Sequence, residues 1–255
     1  MPRADEFAFL VHEGPIAFAH RGGASEAPEN TLPAFQHAVG LGYRYLETDA
    51  HVTSDGVVVA FHDDVLDRVT DRTGRVDQLP WATVREAKVD GREPIPQLED
   101  LLGEFPDARV NIDPKHDASV TPLAEVLKRC NAIERVCIGA FSDKRLDRMR
   151  ALLGPKLCTS LGPRGIARLR ASATTRLPLG SLAAPCAQVP VAAKGITIVD
   201  ERFVRAAHQR GMHVHVWTID DEAEMRRLLD VGVDGIMTDV PVVLRAVLES
   251  RGQWT

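Results

Sequence analysis

Short apolar runs alternate along this chain with longer stretches in which apolar residues recur every third or fourth position. These are the patterns of buried strands and of helices with one buried face. The first run, Pro15 to Ala19, reads as a strand ending on His20 and Arg21. Asn30 is placed to cap the next helix, whose Leu32, Phe35, Ala38 and Val39 share a face and which Gly40 and Gly42 end. Tyr43 to Val52 reads as a strand, Ser54-Asp55-Gly56 as a turn, and Val57 to His62 as a returning extended run.

Between Asp63 and Asp107 the periodicity weakens, leaving two short helices, around Trp81 to Ala87 and after Pro96. Alternation then resumes, with strands at Arg109 to Ile112, Val136 to Phe141 and Lys156 to Leu161. Helices follow them, one carrying Val120, Leu123, Val126 and Leu127, one capped by Ser142, and a basic one from Pro163 to about Ala171. From Leu179 to Val199 two segments compete as strands, Cys186 to Val189 and Gly195 to Val199. Asp200 and Asp220 are read as caps of helices ending at Gly211 and Gly232, with strands at His213 to Ile219 and Gly235 to Thr238 and a last helix opened by Pro241. About eight βα units result. The expected fold is an α/β protein, a TIM (β/α)₈ barrel forming one domain over residues 1–255, with 63–107 a small insertion after the second barrel strand and near the mouth. A doubly wound open sheet shares the alternation and is the alternative.

Composition narrows the partners. The 255 residues carry a formal net charge of -5, which argues against a general nucleic-acid or anionic-membrane binder. No run approaches the roughly 18 apolar residues of a membrane span, and Phe7 to Val11 is too acidic in its surroundings for a secretory segment. Cys130, Cys137, Cys158 and Cys186 lack C-x-x-C spacing, so buried free thiols are expected ahead of disulfides or a zinc knuckle. A cytoplasmic location follows. The pattern leaves the oligomeric state open.

Strand parity then gathers the chemistry. Residues two apart on a strand share a face, so Glu47 pairs with Asp49, and Asp113 with Lys115, at strand C-terminal ends. In a barrel those ends converge on one mouth, where His20, Arg21 and His62 would join them. An outward polar face or a surface ion pair would explain single members of this set, but not its convergence. Three carboxylates repel unless a cation holds them, and all-oxygen donors suit Mg²⁺ or Ca²⁺, with Mn²⁺ also acceptable. Arg21, Lys115 and the ion would bind a phosphate, and the histidines would act as general acid and base.

The chain also resembles the glycerophosphodiester phosphodiesterases. The likeness lies in HRGG…APENT at His20 to Thr31, ETD at Glu47 to Asp49, TSDGVVVAFHD at Thr53 to Asp63 and IPQLEDLL at Ile95 to Leu102. It continues through DPK at Asp113 to Lys115, VHVWTID at Val214 to Asp220 and GVDGIMTDVP at Gly232 to Pro241. The resemblance implies a barrel that hydrolyses glycerophosphodiesters to glycerol 3-phosphate and an alcohol. By motif it implies His20 and His62 as the acid/base pair, Glu47, Asp49 and Asp113 as metal ligands, Arg21 and Lys115 on phosphate, and Trp217 lining the glycerol pocket. The family commonly has glutamate as third ligand; here Asp113 is one methylene shorter. The same fold would accommodate a lysophospholipase D, a metal-free phosphoinositide phospholipase C, or a non-catalytic phosphodiester-binding barrel. The acid/base pair and three acids favour the first reading. The Gly22-Gly23 pair is expected where backbone approaches substrate, and Asp239 is read as a cap of the last helix.

Overall fold

The computed structural model of the protein describes residues 2–175 and 180–255. In chain order its strands are β1 (Ile16–His20), β2 (Tyr45–Val52), β3 (Val58–Ala60), β4 (Lys88–Val89), β5 (Glu93–Pro94), β6 (Arg109–Pro114) and β7 (Val136–Ile138). Then come β8 (Cys158–Thr159), β9 (Cys186–Val189), β10 (Ala192–Ala193), β11 (Ile196–Thr197), β12 (His213–Val216) and β13 (Gly235–Thr238). Eight of them, in the order β8-β7-β6-β2-β1-β13-β12-β9, pair side by side. A parallel bridge from Ser160 to Cys186 and the bond from Leu161 N to Cys186 O, 2.8 Å, join the two ends of that order. The closure rules out the open-sheet alternative.

The ambiguous segment resolves in favour of Cys186 to Val189, which pairs with β12; its first residue, Leu179, lies outside the described residues. Ile196-Thr197 instead folds back on Ala192-Ala193 as a small exposed hairpin. All four of these residues are exposed, so the hairpin adds nothing to the buried barrel wall.

Helices α1 (Leu32–Gly40), α2 (Trp81–Val84), α3 (Leu98–Glu104), α4 (Val120–Arg129), α5 (Asp143–Leu153), α6 (Pro163–Thr175), α7 (Glu201–His208), α8 (Glu222–Val231) and α9 (Pro241–Ser250) complete the chain. The larger core lies between the strands and these helices, with Leu46, Val110, Ile138, Val214 and Ile236 facing Phe35, Leu123, Met149, Phe203 and Leu244. Three caps differ from expectation. Thr31, not Asn30, accepts from the α1 N-terminus, Asp221, not Asp220, caps α8, and Val240 precedes α9 without a side-chain cap. The three displaced residues have work at the barrel mouth.

Alternate strand residues fill the barrel itself. Ile16, Phe18, Tyr45, Cys137, Cys158, Cys186 and Met237 pack there with Phe7, Phe9 and Leu10, so the N-terminal apolar run plugs the end opposite the mouth. Tyr45 Oη donates to Phe9 O at 2.9 Å. All four cysteines are free. After β2 the chain turns into β3, and residues from Val59 to Ile95 build a small core of their own around Phe61, Leu66 and Val84. Among the described residues no helix is long and apolar enough to cross a membrane.

Candidate active site

β1 delivers His20 at its last position, beside Glu47 in register on β2. His20 Nδ1 lies 2.7 Å from Asp239 Oδ1, just beyond β13, and Nε2 lies 3.7 Å from Glu47 Oε2. Burial works to lower the His20 pKa, but the Glu47 charge and the bond and charge of Asp239 outweigh it, so the net direction is up. Asp239 is itself held by Asp220, whose Oδ1 accepts from Asp239 N at 2.8 Å and from Thr238 Oγ1 at 3.0 Å. That contact occupies the carboxylate that the sequence offers as a helix cap.

Arg21 adopts positive φ, 51°. Its N–H donates to Glu47 Oε2 at 3.1 Å and its guanidinium reaches Glu29 Oε1 at 3.1 Å and Asp49 Oδ2 at 3.4 Å. Asn30, also at positive φ and fully buried, donates to Asp49 Oδ2 at 3.1 Å and accepts from Thr48 Oγ1 at 2.7 Å. Lys115 Nζ sits 2.6 Å from Asp49 Oδ1 and 2.9 Å from Asp113 Oδ2. Burial works to raise the Asp49 pKa, yet Lys115, Arg21 and His62 together pull it below the usual carboxylate range.

Among the described residues no lysine or arginine side chain pairs with Glu47, whose contacts are the Arg21 N–H and His20 Nε2. Burial, then the Asp49 charge, push its pKa up to about 7 against the pull of His20, Lys115 and Arg21. Burial also raises Asp113, whose Oδ1 is buried with no hydrogen-bond partner. Both observations describe buried carboxyl groups that the neighbouring cations do not fully satisfy. The donors are oxygens, so Glu47, Asp49 and Asp113 fit a hard divalent cation in charge and chemistry. In the structure the Lys115 ammonium joins Asp49 to Asp113.

His62 follows β3. Its Nδ1 lies 2.5 Å from Asp63 Oδ1, and Asp63 takes Arg68 Nε at 2.5 Å on its other oxygen. Arg68 continues to both oxygens of Glu29, at 3.0 and 2.7 Å. A chain of charges therefore runs from His62 through Asp63, Arg68 and Glu29 to Arg21. The Arg68 bonds hold the Asp63 pKa down at about 2. Trp217 directly follows β12, packs against the barrel-interior cluster and has its ring 5.6 Å from that of Phe141.

The expected residues His20, Arg21, Glu47, Asp49, Asp113 and Lys115 thus form one contacting set, and His62 joins it through ion pairs. Sequence reasoning missed Asp239, Glu29, Asn30 and Arg68. Two signals were present, since Asp239 lies in the VHVWTID-to-TDVP region and Glu29-Asn30 in the APENT stretch, but both were absorbed by helix-start readings. The glycine pair also has a packing role. A Cβ on Gly22 would come within 2.7 Å of Ala34 Cβ, and one on Gly23 within 2.7 Å of Pro241 Cγ. These glycines let the loop pack closely between the starts of α1 and α9.

A parallel barrel with paired histidines, cations and carboxylates at its C-terminal mouth defines a class of phosphodiester-processing enzymes. Residues 20–243 match the model of the glycerophosphoryl diester phosphodiesterase family. The chain belongs to that family. It is 44% identical over 255 residues to "Probable glycerophosphodiester phosphodiesterase 2" of Mycobacterium tuberculosis, covering 96% of this chain and 95% of that one. A Silicibacter pomeroyi structure assigned to the glycerophosphoryl diester phosphodiesterases superposes with TM-score 0.82 at 24% identity, covering 98% of this chain and all of that one. An Oleispira antarctica phosphodiesterase in complex with the product sn-glycerol-3-phosphate superposes with TM-score 0.76 at 23% identity, over 92% and 97% of the two chains. At those identities the two structures speak for the fold.

Proposed function

We propose that this chain, as a single catalytic domain over residues 1–255 with 63–107 beside the mouth, hydrolyses glycerophosphodiesters to glycerol 3-phosphate and an alcohol. One observation carries the reading. Two imidazoles at one mouth, His20 and His62, each have Nδ1 held by its own aspartate at 2.7 and 2.5 Å. That pairing orients a ring and leaves Nε2 for proton transfer. Pure phosphodiester binding needs no such pair, which disfavours a non-catalytic barrel.

Arg21 and Lys115 hold the phosphate in place through charge-assisted bonds. One imidazole takes the proton from the attacking oxygen as it approaches phosphorus, and the other gives a proton to the departing alkoxide. Asp239 and Asp63 keep the rings oriented while their charge changes. A divalent ion, Mg²⁺ or Ca²⁺ with Mn²⁺ as a third candidate, would be held by Glu47, Asp49 and Asp113 and would supply positive charge for the phosphoryl oxygens. The free thiols suit a reducing compartment and so a cytoplasmic setting.

Release of glycerol 3-phosphate from glycerophosphocholine, measured with and without EDTA, tests this. Absence of turnover with Mg²⁺, Ca²⁺ and Mn²⁺ each supplied would sink it. A lysophospholipase D is the second reading, favoured by Phe141, which is 68% exposed and stands edge-on to Trp217 as an apolar rim. Faster turnover of lysophosphatidylcholine than of glycerophosphocholine would select it.

A further inference from the structure

Beside the mouth, three ligand-type side chains meet that the proposed reaction does not use. His51 closes the inward-facing series on β2, Asp64 follows the His62-Asp63 pair, and His116 follows Lys115. Their ligating atoms all lie within 4.8 Å of one another. His116 Nε2 is 2.8 Å from Asp64 Oδ1 and His51 Nε2 is 4.0 Å from the same oxygen. The two rings are 5.2 Å apart.

Ligand bonds of about 2.1 Å in a tetrahedral zinc site put neighbouring donor atoms about 3.4 Å apart. The two measured separations straddle that distance, so small side-chain rotations convert the cluster into a ligand set. Two imidazoles and one carboxylate select a borderline transition cation, whereas the all-oxygen set of Glu47, Asp49 and Asp113 selects a hard one. His116 and Asp64 are open to solvent, with side chains 38% and 50% exposed, leaving room for a water ligand and a path of entry. Arg75 approaches Asp64 through Oδ2 at 3.9 Å, not Oδ1, and its own charge is matched by Asp77 at 2.9 Å.

The cluster is also tied to the acid/base machinery. His51 Nε2 donates to the main-chain oxygen of His62 at 3.0 Å. A metal on that nitrogen needs its lone pair, so the ring proton moves to Nδ1 and the bond to His62 is lost.

We propose that His51, Asp64 and His116 form a second, inhibitory metal site for a Zn²⁺-class cation, whose occupation releases the main chain of His62. The binding part stands on geometry alone; the inhibition rests on the catalytic role proposed for His62. The probe is Zn²⁺, titrated against a chromophoric chelator in the presence of excess Mg²⁺, with glycerophosphocholine turnover followed in parallel. Wild-type protein is expected to bind a single Zn²⁺ under these conditions and to lose turnover as it does. His116→Ala and Asp64→Asn are expected to weaken that binding at least about tenfold, and His116→Ala to keep its turnover without Zn²⁺ while resisting inhibition by the same factor. His116→Gln, which keeps size and polarity without an imidazole, guards against a folding artefact. No Zn²⁺ bound by wild type with Mg²⁺ in excess, or equal affinity in the variants, overturns the site. Binding lost in the variants but without effect on wild-type turnover overturns the link to His62. Absence of turnover in all proteins with the binding pattern intact would instead count against the proposed activity.

Discussion

His20 and Asp239 stand 219 positions apart in the chain, yet their side chains meet at 2.7 Å because β1 and β13 are neighbours in the closed ring. The carboxylate stabilises the imidazolium and fixes which nitrogen faces the mouth. Asp239→Asn is therefore expected to lower kcat by about 10²- to 10⁴-fold with little change in KM. Because Asp239 helps raise the His20 pKa, the limb of the pH–rate profile set by His20 should also move to lower pH. An unchanged profile would remove Asp239 from this role.

His20→Ala is expected to abolish turnover while leaving divalent-cation binding intact. Calorimetric titration with Mn²⁺ checks this directly. Loss of metal together with activity would show that His20 serves the ion and not the proton.

Lys115 holds Asp49 at 2.6 Å and Asp113 at 2.9 Å in a buried setting. Removing one partner of a buried pair leaves charge without compensation, a cost of about 3–5 kcal/mol. Lys115→Met should show a loss of that order in urea denaturation with EDTA present, and should regain part of it on addition of Mg²⁺. No recovery would mean that the carboxylates do not take a cation.

His215 is fully buried in the barrel, and burial drives its pKa down from 6.5 to about 4. The unfolded chain therefore binds the proton first as pH falls. The stabilising effect of the neutral ring is complete above pH 6.5 and is lost between there and pH 4, by roughly 3 kcal/mol. His215→Gln should flatten the dependence of the urea midpoint on pH over that window by about one proton, and an unaltered slope would contradict the assignment.

Gly22 combines φ +85° with a Cβ position 2.7 Å from Ala34 Cβ and 2.9 Å from α1 backbone. Gly22→Ala is expected to destabilise by about 2–4 kcal/mol, read as a lowered Tm. If the glycine served only substrate approach, Tm would hold and KM alone would rise.

Much of this protein is determined locally. Hydrophobic period marks most strands and helices, and parity on one strand places Glu47 with Asp49 and Asp113 with Lys115, because side-chain direction depends only on the adjacent backbone. The strand-end positions of His20, Arg21 and His62 are legible for the same reason. Tertiary structure decided what such rules cannot reach. Whether Cys186 to Val189 or Gly195 to Val199 completes the ring depends on which one finds parallel partners and burial. Asn30, Asp220 and Asp239 carry side chains that suit helix caps, and local preference assigns them there. Each is turned instead to a side chain or main-chain amide at the mouth, since closing the barrel brings together groups that would otherwise lack these partners. The orientation of His20 is therefore a property of the closed ring: its histidine is written at one end of the chain and its aspartate at the other.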